Sequence, residues 1–138
     1  ENQAETQKAA RRLKLRKWTR LPNIPLQCAD LSHADLSGMD LRGANLYQAS
    51  LNGADLSRTR LRNANLGLTR LLDADLSHAD LRAADLSSAE CEDANFSGAD
   101  LTDADLSGAD FSRANLTNAR VTREQLNKAS ALEGMIGP

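Results

Sequence analysis

The sequence predicts an all-β solenoid, a rod of stacked square coils, and three observations carry that reading. From Ile24–Pro25–Leu26 to Glu124–Gln125–Leu126 a large apolar residue recurs at every fifth position. A fixed repeat this short defines a stacked architecture. Two residues before each of these centres stands a small residue, usually alanine, with Met39, Thr59 and Thr69 the exceptions. Between the two, from Leu31 to Val121, comes Asp or Asn, with Ser50, Arg60, Arg70, Glu90 and Arg120 as departures.

A period of five fits neither standard element. On a helix, residue i+5 lies about 140° round the axis, so the leucines would spiral over the whole surface. On a flat strand every second leucine would face water. The pattern works when each pentapeptide forms one short extended side and then turns a corner. The centre and the residue two before it then point the same way, inward. Four sides close a square, and each coil sits about 4.8 Å above the last. The register from Leu31 to Val121 predicts about five coils and roughly 24 Å of rod.

The structural core follows at intervals of twenty residues. One internal column reads Leu31, Leu51, Leu71, Cys91, Phe111, and the next Leu36, Leu56, Leu76, Phe96, Leu116. The other two are Leu41, Leu61, Leu81, Leu101, Val121 and Leu46, Leu66, Leu86, Leu106. The alanine position must be small because four such residues meet beside four leucines in a narrow, close-packed coil. A lone repeat would not fold. Ordering five residues costs roughly 5–10 kcal/mol, and burying one leucine returns only about 1.5–3 kcal/mol. Neighbouring coils supply the rest, so stability is cooperative along the rod and weakest at its ends. Gly38, Gly43, Gly53, Gly98 and Gly108, each two residues after a centre, suit corners that need positive φ.

Repeats such as Ala29–Asp30–Leu31–Ser32–His33, Ala54–Asp55–Leu56–Ser57–Arg58 and Ala94–Asn95–Phe96–Ser97–Gly98 resemble the pentapeptide repeat family, A-(D/N)-(L/F)-x-x, over about residues 24–126. The resemblance implies a right-handed quadrilateral β-helix. It implies little about activity: some members mimic DNA and inhibit or protect DNA gyrase, and many cyanobacterial and chloroplast-lumen members have no established activity.

Both ends depart from the repeat. Residues 1–20 contain neither Gly nor Pro and favour helix, which Pro22 and Pro25 would stop. This defines an N-terminal basic segment over 1–21 and a repeat domain over 22–121. At the C-terminus, 122–138, Thr122 and Gln125 fit a capping box. Leu126, Ala129 and Leu132 offer an apolar stripe and Gly134 a stop, so a capping helix over the last coil is expected, shielding its open edge and Val121. A monomer, or a homodimer through a terminal cap, is expected. Up to residue 27 the chain holds seven basic against two acidic residues, +5. The whole chain is −2, which leaves −7 for residues 28–138. A charged cap docking on an acidic rod explains the asymmetry, as would an acidic partner.

The chain starts at Glu1 rather than Met, which leads to the expectation that something upstream was removed. No apolar run approaches the roughly 20 residues of a membrane span, so a soluble protein of the cytoplasm, thylakoid lumen or periplasm is expected. Cys91 reads as an inert core thiol. Cys28 lies about three coils away, roughly 14 Å, beyond disulfide reach.

Function must then lie on the outer columns. Ser37, Ser57, Ser77, Ser97 and Thr117 form a hydroxyl ladder, and Arg42, Arg62 and Arg82 an arginine ladder beside Asp40, Arg60, Asp80, Asp100 and Arg120. Stacked arginines need carboxylates or a bound anion among them. The least regular stretch is Gly67–Leu68–Thr69–Arg70–Leu71–Leu72. Leu68 and Leu72 take outward positions, and Tyr47 stands one coil from Gly67, whose missing side chain lets the ring lie across it. With Arg70 these residues have the make-up of a protein-interaction patch. His33 and His78 join no cluster with metal-ligand spacing, and a regular rod has no concave pocket. No catalytic residue, metal or cofactor is expected. DNA mimicry would need roughly 14 net negative charges over 24 Å. Residues 28–121 hold 15 acidic and 8 basic residues, half that. The reading is a non-enzymatic scaffold that binds a protein, with a DNA-mimicking topoisomerase inhibitor as the alternative.

Overall fold

The computed structural model describes residues 26–138. The helix expected over residues 1–20, the basic segment 1–21 and the first residues of the repeat domain lie outside the described residues. From Leu26 onward the chain winds into stacked four-sided coils. Parallel bridges join residues twenty apart, Asp30 to Ser50, Asp35 to Asp55, Asp40 to Arg60, Asn45 to Asn65, and so on up the rod. Each side is so short that only its middle residue pairs as a strand.

Three backbone bonds tie each repeat to its neighbours. The Leu31 N–H donates to the Ser50 carbonyl at 2.8 Å, the His33 N–H to the Asn52 carbonyl at 2.9 Å, and the Ser50 N–H to the Ala29 carbonyl at 2.9 Å. A fourth closes the corner, Ala34 N–H to the Leu31 carbonyl at 3.0 Å, which is a four-residue β-turn. Its third residue has positive φ at every corner from Cys28 to Asn118, as a type II turn requires. Glycine fills that position at Gly38, Gly43, Gly53, Gly98 and Gly108, but His33, Arg58, Leu68 and Ala83 adopt it too. The stacked corner imposes the conformation, and the residue tolerates it.

The core is the predicted set of columns. Leu31, Leu36, Leu41, Leu46 and their successors up to Leu116 are buried, with most of the alanines beside them, whereas Ala34 and the predicted core residue Val121, near the two ends, are only partly covered. Phe96 and Phe111 pack with ring centroids 5.3 Å apart at 60°, a favoured tilted geometry. Cys91 sits directly below Phe111 in its column, its N–H donating to the Asp110 carbonyl. A small residue beneath a large one keeps the core volume constant. Burial pushes the Cys91 thiol well above its ordinary range, so it stays protonated and inert.

The C-terminal end differs from expectation. Helix α1 spans only Arg123–Asn127, with Thr122 and Gln125 exchanging both capping-box bonds. The apolar stripe through Ala129 and Leu132 predicts a longer helix. Instead the chain returns to the coil, where Ala131 bridges to Asp110 and Ile136 to Asn115. Gly134, with φ +71°, makes a corner rather than a helix stop. Backbone pairing to an open coil edge outweighs the propagation of a short helix. Gln125 does more than cap: its side-chain amide donates to the Leu101 and Ala104 carbonyls at 2.7 and 3.0 Å. Val121, Ala129, Leu132 and Met135 pack against the last core layer and are only partly buried.

Candidate functional site

Along each side the Asp or Asn does structural work. Its Oδ1 accepts the N–H two residues on, at 2.9 Å from Asp55 to Ser57, 2.9 Å from Asp75 to Ser77 and 3.0 Å from Asn65 to Gly67. This Asx bond fastens the start of the following corner. The serines of the hydroxyl ladder turn back onto the same atoms: Ser37 Oγ lies 2.6 Å from Asp35 and Ser57 Oγ 2.6 Å from Asp55. That ladder is largely spent internally.

The coil of residues 56–75 breaks the rule twice. Arg60 and Arg70 replace the Asx residue, and Thr59 and Thr69 replace alanine beside them. Both threonines are fully buried, and their hydroxyls donate to the Leu56 and Leu66 carbonyls, each at 2.7 Å. Each hydroxyl thus adds a bond to the corner before its arginine, a corner whose own clip, from Asp55 or Asn65, is intact. At the Arg70 side a second substitute appears, since the Leu72 N–H donates to Asn52 Oδ1 at 3.0 Å from the neighbouring coil.

Tyr47, Leu68, Arg70 and Leu72 gather around this side. A Cβ on Gly67 would stand 3.1 Å from the Tyr47 ring, so the ring covers the glycine. Leu68 is 43% exposed, Tyr47 and Leu72 are half-buried, and Arg70 is open to solvent. Leu68 and Leu72 flank Arg70 at the two ends of one coil side. Arg70 reaches Glu90 at 3.9 Å, both side chains more than half exposed. Leu68 and Arg70 border a shallow groove of ≈ 300 Å³, with Cys28, Gln48, Ser50 and Glu90.

Arg42, Arg62 and Arg82 stack on a different corner, and they are not equivalent. Arg42 clamps Asp40 through two nitrogens at 2.8 and 2.6 Å, and Arg82 clamps Asp80 at 2.8 and 2.7 Å. The guanidinium groups hold both carboxyls below their ordinary range. Arg62 has Arg60 where its neighbours have Asp, so it makes no such clamp. Among the described residues no His, Cys, Asp and Glu group has metal-binding geometry.

Comparison with known proteins decides the family. The family described as Pentapeptide repeats matches residues 26–63, 54–90 and 89–123, which together run through most of the chain. The chain is a pentapeptide repeat protein. A pentapeptide repeat protein of Nostoc Pcc 7120, solved at 1.7 Å, is 34% identical, with 74% of this chain and 84% of that one covered and a TM-score of 0.66. One from the Arabidopsis thaliana thylakoid lumen is 28% identical, covering 75% of this chain and 79% of that one, with a TM-score of 0.55. HetL of Nostoc sp. strain PCC 7120, a protein involved in heterocyst differentiation regulation, is 38% identical over 79% of this chain and 55% of its own, at a TM-score of 0.44. No curated protein sequence matches. The family match and the first two of these structures establish the right-handed quadrilateral β-helix for this chain.

Within this pentapeptide repeat protein two features escaped sequence reasoning. Each histidine lies over a glycine one coil on: a Cβ on Gly53 would meet His33 Nδ1 at 2.5 Å, and one on Gly98 would meet His78 Nδ1 at 2.5 Å. The twenty-residue spacing of His33 to Gly53 and His78 to Gly98 is the signal that would have found them. The Asx clip was written in the Asp/Asn preference itself, read only as an outward polar position.

Proposed function

We propose that this protein is a non-enzymatic, rigid scaffold that binds another protein through the surface formed by Tyr47, Leu68, Arg70 and Leu72. One observation carries the reading: an exposed leucine, at a corner where other repeats carry polar or small residues, stands beside a glycine-seated tyrosine and a solvent-facing arginine. Aromatic, aliphatic and Arg side chains together are the composition of interface centres. The rod presents them at fixed spacing, so binding would cost little ordering of the scaffold. Arg42, Arg62 and Arg82 form a second contact column in this reading, with Arg62 the member that no carboxylate engages.

A pull-down comparing the wild type with Leu68→Asp and Leu72→Asp tests the patch. Loss of a partner with both variants, at unchanged melting temperature, is the expected result; equal recovery would remove the patch from the reading. Electrostatics oppose the DNA-mimic alternative, because arginines interrupt the acidic columns at Arg60, Arg70 and Arg120. Micromolar protein is expected to leave supercoiling by purified gyrase unchanged, and inhibition there would favour the mimic. The partly covered Val121, Leu132 and Met135 with the exposed Ile136 support a homodimer contact through that end, which sedimentation would reveal. No helix among the described residues is long and apolar enough to cross a membrane. The thylakoid-lumen origin of one similar structure supports a lumenal site as readily as a cytoplasmic one.

A further inference from the structure

The coil that carries Leu68, Arg70 and Leu72 carries a second irregular side directly opposite. There Arg58, Arg60 and Arg62 alternate with Thr59 and Leu61, which point inward and are buried. All three arginines are exposed, so three guanidinium groups project from one face of a single coil. The other arginines of the coils stand near carboxylates. Arg42 and Arg82 clamp aspartates of their own repeats, Arg113 clamps Asp93 of the next coil, and Arg70 and Arg120 approach Glu90 and Asp100. Arg60 is flanked in its column by Asp40 and Asp80, yet Arg42 and Arg82 already hold both. The corner column of Arg58 offers it Gly38, His78 and Gly98, and no carboxylate. Among the described residues none of the three has an acidic partner within ion-pair distance.

The geometry points to Arg58, Arg60 and Arg62 as a docking surface for an extended acidic segment of a partner protein, with acidic residues at alternate positions. Arg60 is the middle of the side, with Arg58 and Arg62 at the corners that bound it, and an extended segment with acids at alternate positions, about 6.6–6.8 Å apart, spreads its carboxylates along the same edge. Carboxylates at the same interval on the partner would each meet one guanidinium, the strongest pairing open to them. The direction of approach is fixed by the surroundings. Along the rod axis this side runs Asp40, Arg60, Asp80, Asp100, so a long polyanion parallel to the axis meets acids above and below. A short acidic strand lying across the axis, in the plane of this coil, meets only cations. The inference rests on the scaffold reading in taking the partner to be a protein. Its residues lie on the opposite side of the rod from Leu68 and Leu72 and share only Arg62 with the arginine column of that reading, so this surface and the leucine surface can fail independently.

Fluorescence anisotropy with the full chain and a labelled synthetic peptide tests it. The peptide carries glutamate at three alternate positions with threonine between; its isomer carries the same glutamates contiguously. The wild type is expected to bind the alternating peptide about tenfold more tightly than Arg60→Asp does, as loss of a charge-assisted contact and gain of a like charge would give. Arg60→Asp restores the standard Asx clip and gives Arg62 a carboxylate, so its melting temperature should not fall. Arg70→Ser and Leu68→Asp, on the far side, should leave the peptide affinity unchanged. Equal affinity for wild type and Arg60→Asp overturns the inference, as does an equal loss with Arg70→Ser. Tighter binding of the contiguous isomer or of duplex DNA, or displacement by inorganic phosphate alone at peptide concentration, overturns it too. Lost partner recovery with Leu68→Asp alongside unchanged peptide affinity in Arg60→Asp would leave the scaffold standing and remove this surface only.

Discussion

The side built on Ala74, Asp75 and Leu76 and the side built on Thr69, Arg70 and Leu71 are consecutive in one coil and reach the same backbone path differently. On the first, Asp75 fastens the Ser77 N–H from outside at 2.9 Å. On the second, the Thr69 hydroxyl secures the Leu66 carbonyl from inside, and Asn52 of the adjacent coil accepts the Leu72 N–H. The outer position is thereby released from structural duty and filled by an arginine. The opposite side repeats the pair of threonine and arginine at Thr59 and Arg60. At the Arg70 side the outer position becomes free to vary because a neighbouring coil supplies the acceptor that an Asx residue gives elsewhere.

The largest perturbation should not distinguish the two sides at all. Leu71→Ala and Leu76→Ala each empty a fully buried site and should cost about 2–5 kcal/mol, read as equal shifts of the thermal midpoint. Gly98→Ala, beside the serine that follows the next clip, comes next. Its φ of +69° and the imidazole of His78 at 2.5 Å should cost about 1–2 kcal/mol, and less in the His78→Ala background. The contrast itself is sharpest in the following pair. Asp75→Ala should lose about 1 kcal/mol with its clip, whereas Arg70→Ala should lose almost none, being an exposed arginine whose carboxylate lies 3.9 Å away. Thr69→Val should restore the asymmetry from within, costing about 1 kcal/mol by stripping the inner hydroxyl.

The smallest effect is in pH. Hydrogen bonds from Arg42 and Arg82 hold the Asp40 and Asp80 carboxyls below their ordinary range in the folded chain. A depressed carboxyl contributes stability that is present above its unfolded value, about 3.9, and lost as pH falls through the folded one. Stability should therefore hold from neutral pH to about 5 and decline below about 4. In the double variant Arg42→Gln, Arg82→Gln stability at neutral pH should be lower and its decline below about 4 shallower, because the folded carboxyls return towards their unfolded value. Denaturant titrations across that range would show it.

The core was legible because its information is periodic: Leu31 to Val121 fix both the turn of the chain and the twenty-residue register without reference to any partner. Glycines hinted at the corners, but the positive φ of His33, Leu68 and Ala83 is imposed by stacking and leaves no mark in residue type. The seating of Tyr47 on Gly67 could be read once the register was set. That Arg42 and Arg82 are clamped and Arg62 is not follows from Asp40 and Asp80 against Arg60 two residues earlier, though the two-nitrogen geometry of the clamps depends on rotamers that spacing does not specify. Leu126, Ala129 and Leu132 misled because helical spacing is a local property, while the pairing of Ala131 and Ile136 is decided by an edge that waits more than twenty residues earlier.

The Gln125 amide is seated on the Leu101 and Ala104 carbonyls. The register offers the Ala104 carbonyl to the backbone N–H twenty-one residues on, as Ala84 and Ala89 offer theirs to Asp105 and Asp110, so a side chain here takes the seat of a ladder rung. Gln125→Ala should leave that rung vacant and loosen this one face of the last coil, read as faster amide exchange in α1.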